Sequence, residues 1–241
     1  MDDAVFERLL AINKAFYARF SQPFLESRRR PQPGFHRLLD FLPKACQRLL
    51  DVGCADGRLG RFLLGNRAIT SYVGIDFSRP LLQAADKDER MRFVERDLAN
   101  SDSFAELGRF DAATCLATLQ HIPRWSHRIQ LLTAIGDCVR PGGSIIASTW
   151  QFRDYERQRR KIVDWARVGL NASDVENDDY LLTWRRAGLG YRYVRFINLE
   201  EMGSLARSSG LQLLTHFRSD GREGDLNLYA VMVHADGTSD V

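Results

Sequence analysis

The chain has 241 residues, 44% hydrophobic and 27% charged, with 34 Lys and Arg against 31 Asp and Glu for a formal charge of +3. This is enough apolar sequence for one sizeable core, and so even a charge balance excludes nucleic-acid binding argued from net charge alone. No segment approaches the ~20 consecutive apolar residues of a membrane span, and Cys46, Cys54, Cys115 and Cys138 lack the close pairing of a zinc site. We therefore expect reduced thiols, no metal, no membrane association and a cytoplasmic location.

In chain order, residues 1–47 read as an N-terminal helical lid, with the run Arg28, Arg29, Arg30 stiffened by the prolines beyond it. A core over residues 48–150 follows. Its strand-like runs are RLLDVG, SYVGID, MRFVERD, FDAATCL and GSIIAST, separated by helical patterns. That alternation predicts an α/β fold with a doubly wound, mostly parallel sheet. Residues 151–197 read as an insertion: QFRDYERQRRKIVDWARVGL as a charged amphipathic helix, then a polar stretch from Asn171 to Gly190 of loop character. Trp150, Trp165 and Trp184 read as packing residues. Residues 198–235 close the single domain with a helix and two strands, and the tail ADGTSDV reads as frayed.

The informative stretch is LLDVGCADGR, where an apolar strand meets two glycines and two acids. Ligands of doubly wound sheets bind outside the carboxyl ends of the strands where the strand order reverses, and the first turn is the usual floor of that crevice. Gly53 allows close backbone approach and Gly57 a tight entry into the helix, while Asp51 and Asp56 add negative charge. Carboxylates repel a pyrophosphate, and the spacing Gly53, Ala55, Gly57 lacks the third glycine of the dinucleotide fingerprint. The ligand at this turn should carry a cation. Asp76 ends the second strand, where an acid can accept both hydroxyls of a ribose. Asp97 follows the third, where a carboxylate can take an exocyclic adenine amine while Phe77 or Leu98 covers the ring. A nucleoside bearing a positive substituent satisfies this pattern, and S-adenosylmethionine is such a molecule.

LLDVGCADGR, VGIDFS, ERDLA, FDAATCLATLQHI and LLTAIGDCVRPGGSIIAST resemble the successive motifs of class I S-adenosylmethionine-dependent methyltransferases. The resemblance implies a seven-stranded Rossmann-like sheet with its last strand antiparallel. It also implies a donor site in which Asp51, Gly53 and Gly57 lie along the methionine part, Asp76 binds the ribose, and Asp97 and Leu98 flank the adenine, with Cys54, Ala55, Phe77 and Leu116 as further cofactor-binding candidates. Phe20, Ser21, Arg28, Pro31 and Pro33, with STWQFRDYERQ, LLTWRR, RYVRF and DLNLYAVM, further resemble the methyltransferases that esterify carboxymethyl groups on tRNA wobble uridine, including the domain attached to AlkB-like hydroxylases. Gln32, Gln120, Val194, Arg195 and Leu228 depart from that pattern. The resemblance would allow a small activating subunit as partner.

Methyl transfer is an in-line displacement that rests mainly on alignment. A carboxylate nucleophile needs no base and calls for a cation to orient it, for which Arg28, Arg30, Arg192 and Arg195 are candidates. A hydroxyl or amine nucleophile makes His121, in LQHIP, the general base. The basic segments from Arg153 to Arg167 and Arg185 to Arg195 favour an anionic acceptor, tRNA among them. The alternatives are a small-molecule carboxyl, O- or N-methyltransferase, a dinucleotide-dependent oxidoreductase, or a donor-binding scaffold without catalysis.

Overall fold

The computed structural model describes residues 1–100, 104 and 106–235, so the tail beyond 235 lies outside the described residues. Seven strands form the central sheet in the order β3-β2-β1-β4-β5-β10-β9. They are β1 (Arg48–Val52), β2 (Ser71–Asp76), β3 (Met91–Glu95), β4 (Phe110–Leu116), β5 (Val139–Trp150), β9 (Leu211–Ser219) and β10 (Asn227–His234). β1 through β5 pair parallel, whereas β10 runs antiparallel to both β5 and β9, as the sequence suggests. Leu49, Leu50 and Val52 are fully buried because helices cover both faces of a parallel sheet, and so β1 reads as a nearly continuous apolar run. The order reverses between β1 and β4. A crevice therefore opens at their carboxyl ends.

The N-terminal region begins with α1 (Asp3–Glu26), capped by the Asp2 carboxylate, which accepts from the Val5 amide at 2.8 Å. Its buried residues Phe6, Leu9, Leu10, Asn13, Phe16, Tyr17, Phe20 and Phe24 recur at three and four positions, which draws them onto one face. Non-helical dihedrals at Phe20 mark a kink one turn before Pro23, whose ring crowds the preceding turn and whose nitrogen has no hydrogen to donate. The short helix α2 (Pro33–Leu38) follows.

The insertion differs from its sequence reading. In place of a long charged helix there is one turn, α6 (Glu156–Arg159), and the segment read as a loop contains a strand. β6 (Ile162–Val163), β7 (Asp179–Trp184) and β8 (Gly190–Arg195) form a separate antiparallel sheet. The physical reason is a partner distant in sequence. Leu181 and Tyr193 of this sheet are fully buried against Leu9 of α1 and Trp165, an apolar surface that local polarity does not announce.

This docking makes the N-terminal region a packed cover rather than a loose flap. Asn13 offers Oδ1 to the Tyr193 amide at 2.9 Å and donates Nδ2 to the Tyr193 carbonyl at 3.1 Å, binding α1 to β8 in both directions. The sheet is held in turn to α5 (Trp125–Cys138) and α7 (Leu199–Ser208). Buried Arg128 donates to Glu176 at 2.9 Å, and Arg195 donates to Glu201 at 2.8 Å. Replacing fully buried Leu9 with alanine should cost about 2–5 kcal/mol in stability. Urea unfolding followed by circular dichroism checks this, and a single transition is expected because α1, the small sheet and the core share these contacts.

Candidate functional site

A cavity of about 1080 Å³ lies at the carboxyl ends of β1, β2 and β4, roofed by α1, the segment after it and the small sheet. Asp51, Gly53, Cys54, Ala55, Asp76, Phe77, Asp97, Leu98, Leu116, His121, Arg28, Arg30 and Arg192 all line it. Gly57 is the exception. It adopts φ +72° at the start of α3 (Arg58–Gly65), as the tight entry requires, but a Cβ there would stand 2.5 Å from the Phe93 ring. Its glycine requirement comes from that positive φ and from packing against β3.

At the acidic end, each carboxylate is held by the protein. Asp51 accepts from the Tyr72 hydroxyl of β2 at 2.6 Å and from the Thr114 hydroxyl of β4 at 2.7 Å. Burial nevertheless pushes it up to about 6, partly offset by those two bonds. Asp76 accepts from the amides of Ala55 and Ser78, both at 2.9 Å, and burial likewise raises it to about 6. Gly53 has φ +78°, and a Cβ would stand 2.0 Å from Thr118 Oγ1. The close approach there is thus to protein as well as to any ligand. Ala55 takes φ +51° without being glycine, a strained conformation that aims its amide at Asp76. The Cys54 thiol is raised well above its usual range by burial, which keeps it protonated and unreactive. Asp97 accepts from Lys14 Nζ of α1 at 3.0 Å, so that α1 reaches the third strand across the crevice.

The opposite end is cationic and aromatic. His121 is buried, with Nδ1 3.0 Å from the Tyr193 carbonyl and Nε2 3.3 Å from the Tyr17 hydroxyl. A carbonyl only accepts, so Nδ1 carries the proton and Nε2 receives the Tyr17 hydroxyl. Burial, with Arg192 nearby, pushes His121 down to about 3. The imidazole is neutral and weakly basic, which suits it to orienting Tyr17 more than to removing a proton. Arg28 lies 3.9 Å over the Phe24 ring, and burial together with Arg192 lowers it to about 10. The Arg192 guanidinium sits 4.8 Å from the ring centroids of both Phe16 and Trp150 and 5.4 Å from Trp184. Trp150 and Trp184 pack against apolar clusters, as read for them, and in addition border the cavity, while Trp165 packs in the core under α1.

Two further expectations change. Arg195, a candidate to orient the acceptor, is committed to Glu201, with Asp179 at 3.6 Å, on the far side of β8. Arg157 lines the cavity, so the segment read as a long charged helix of an insertion contributes a side chain to the site. The remaining arginines of that segment are largely engaged within the protein: Arg153 with Asp178, Arg160 with Glu156, and Arg159 with the Arg153 carbonyl.

Sequence reading missed the strap that closes the donor end. Arg58 donates to the carbonyls of Arg28 and Arg30 at 2.8 and 3.0 Å and to Gln32 Oε1 at 3.1 Å. Buried Asp220 accepts from the Gly34 amide, Gln32, Asn227 and Tyr229 within 2.6–2.9 Å. No local pattern marks these residues: Arg58 meets partners 26 to 30 positions earlier, and Asp220 meets Gln32 and Gly34 across 188 and 186 positions. Tyr17 and Asn13 were hidden in the same way, inside a helix legible only as a cover. Among the described residues, no three His, Cys, Asp or Glu side chains gather as metal ligands would, and no helix is long and apolar enough to cross a membrane.

A strand-order reversal lined by acids, with a backbone turn at positive φ and a buried carboxylate ending β2, fits the ribose and cationic methionine of S-adenosylmethionine. Comparison with known proteins agrees. A family model described as a methyltransferase domain matches residues 17–216, and the chain belongs to that family, the class I S-adenosylmethionine-dependent methyltransferases. The ubiquinone biosynthesis O-methyltransferase of Chromobacterium violaceum is 31% identical over 185 residues, 73% of this chain and 71% of that protein. Its counterpart in Thiobacillus denitrificans is 30% identical over 174 residues, 70% of this chain and 66% of that protein, so the chain spans just under two thirds of that relative. The S-adenosylmethionine-bound amino pentose methyltransferase CalS10 of Micromonospora echinaspora superposes with a TM-score of 0.62 at 16% identity, covering 87% of this chain and 96% of that one. That likeness speaks for the fold. Membership of this family displaces the dinucleotide-dependent oxidoreductase alternative.

The raised Asp51 has a measurable consequence. Its folded value lies above that of an unfolded aspartate, so the folded state binds more protons between about pH 4 and 6, and stability falls as pH rises through that window. A shift of this size corresponds to about 3 kcal/mol. Denaturant unfolding of wild type and Asp51→Asn at pH 4 and pH 7 should show wild type losing about that much more across the interval.

Proposed function

We propose that the protein transfers a methyl group from S-adenosylmethionine to an oxygen of a small-molecule acceptor. The observation that carries this reading is the enclosure of the cavity: α1 and the small sheet roof the space beside the acidic donor end, leaving room for a compact acceptor. The O-methyltransferase names of the two relatives point the same way.

In this reading Asp76 accepts the ribose hydroxyls, Asp97 and Leu98 flank the adenine with Phe77, and the turn of Gly53, Cys54 and Ala55, backed by Asp51, runs along the methionine. The bound donor supplies a methyl carbon made electrophilic by its sulfonium. An acceptor oxygen held ~3–3.5 Å from that carbon, in line with the carbon–sulfur bond, needs alignment above all. The new oxygen–carbon bond forms as the carbon–sulfur bond breaks, and the electron pair stays on sulfur as a neutral thioether; a carboxylate oxygen brings no proton, and a hydroxyl oxygen gives its proton up to water. Tyr17, oriented by His121, with Arg28, Arg30 and Arg192, faces the acceptor. The chain acts as one unit in which residues 1–47 and 151–197 cover the donor-binding core of residues 48–150.

A carboxymethyl group on tRNA is the second reading. It is favoured by the cationic lining at Arg29, Arg157, Arg185 and Arg186 together with the flanking segments that resemble the wobble-uridine enzymes. Incubation with methyl-labelled donor and either small-molecule extract or fractionated small RNA separates the two. Label is expected in the small-molecule fraction, transfer to RNA alone would replace this reading with the second, and no transfer to either would leave a donor-binding scaffold.

Replacing Asp76 with alanine removes two charge-assisted hydrogen bonds of roughly 1.5–3 kcal/mol each, which should weaken donor binding at least tenfold. Calorimetric titration with S-adenosylhomocysteine measures it. Because burial sets Asp76 at about 6 and the ribose hydroxyls require the ionised form, wild-type affinity should fall by about tenfold per pH unit below that value. The Asp76→Asn protein should show a shallower profile over the same range, with the dependence that remains coming from Asp51.

A further inference from the structure

Arg192 is 95% buried, and yet neither Nε nor Nη1 has a hydrogen-bond partner. No carboxylate among the described residues forms an ion pair with it, nor with Arg28 or Lys161, which line the same wall. Its surroundings are the faces of Phe16, Trp150 and Trp184, with the Tyr17 hydroxyl as polar neighbour. Three aromatic faces at about 2 kcal/mol each offset much of the several kcal/mol that burying an unpaired ion costs, but they satisfy none of its N–H donors. Elsewhere this protein follows the usual rule that buried charge is paired: Arg128, also fully buried, meets Glu176 at 2.9 Å. Among the described residues, the buried cation on the wall that faces the cavity departs from it. Of the acids that line the cavity, Asp51, Asp76 and Asp97 stand at the other end, and neither Glu26, Asp56 nor Asp220 forms an ion pair with these cations.

We propose that Arg192 is an oxyanion-binding residue and that the acceptor carries a carboxylate which completes its hydrogen bonding, with Arg28 and Lys161 adding positive potential. This deepens the methyl-transfer reading and rests on it for the word acceptor, but the anion site itself does not. A planar guanidinium bordered by Phe16, Trp150 and Trp184 matches a planar carboxylate in shape, and its orphaned donors are the groups such a ligand, entering from the cavity, satisfies. Hydrogen bonds run on from this point with one polarity. The Tyr17 hydroxyl donates to His121 Nε2, and His121 Nδ1 donates to the Tyr193 carbonyl, which leaves the Tyr17 oxygen free to accept from Arg192. The cavity is thereby polarised, with acids around the cationic donor and cations around the anionic acceptor. Opposite charges on the two substrates are drawn together where the methyl passes.

The test uses formate as the smallest carboxylate, free of any steric demand a true acceptor would add. Trp150 and Trp184 flank the guanidinium, so its neutralisation should alter their fluorescence. Formate titration of the full-length protein at constant ionic strength should give a saturable change. The apparent affinity should fall tenfold or more in Arg192→Met and by less in Arg192→Lys, with S-adenosylhomocysteine affinity unchanged in both by calorimetry. Arg192→Lys keeps the charge and so remains informative should the methionine variant fold poorly. No saturable change in wild type, or equal titrations in wild type and both variants, would overturn the proposal. Weakened donor affinity would do so as well, because the anion would then be the methionine carboxylate of the donor itself. An Asp76→Ala protein that loses donor binding but keeps its formate response separates failure of the methyl-transfer reading from failure of this one. Labelled-methyl transfer to the acidic fraction of a small-molecule extract, against neutral and RNA fractions, then distinguishes a free acid from a carboxylate carried on RNA, and transfer to the neutral fraction alone would refute both.

Discussion

Asp51 accepts one hydrogen bond from each strand beside its own, from Tyr72 on β2 and Thr114 on β4. Those strands diverge toward opposite halves of the sheet, and the crevice exists because they do. A carboxylate at this point joins the two halves across the reversal of strand order while its burial makes it reluctant to ionise. The positions of Gly53, Ala55 and Asp76 all follow from that junction. The amides of Gly53 and Cys54 donate to the Ile75 carbonyl, and the Ala55 amide to Asp76, so the turn after β1 is moulded onto the end of β2.

The remaining walls come from outside the parallel core. α1 and the small antiparallel sheet each carry an apolar face that neither can bury alone; they bury each other through Leu9, Trp165, Leu181 and Tyr193. The doubled hydrogen bond between Asn13 and the Tyr193 backbone then sets their register. Since the Tyr193 carbonyl also receives His121 Nδ1, one backbone group on the insertion connects the cover to the loop after β4. Packing of the cover and geometry at the acceptor end are thus the same set of contacts.

Charge follows architecture. Acids cluster where the strand ends of the core converge, and cations where the insertion and α1 meet them. The separation explains why a chain with a formal charge of only +3 can present a strongly electropositive pocket wall: the sum is nearly neutral, and its distribution is not.

The sequence by itself determined the core and the donor end. Strand, turn and acid lie within a few residues of one another in LLDVGCADGR and VGIDFS, and a turn that binds through backbone amides and adjacent carboxylates is a local object that periodicity and spacing can reveal. The antiparallel closing pair was legible for the same reason, two alternating runs flanking a turn-rich segment. Only the tertiary structure decided the acceptor end. β7 lies in a stretch polar enough to read as loop, and its strand character depends on α1, more than one hundred and fifty residues earlier. Gly57 was assigned to the ligand because its other constraint, the Phe93 ring, arrives from β3. Arg192 and Arg195 stand three residues apart and look alike in sequence; one faces three aromatic rings and no acid, the other Glu201 and Asp179. Alternation along β8 sends neighbouring positions to opposite faces, and which face meets acids is settled by the elements packed there.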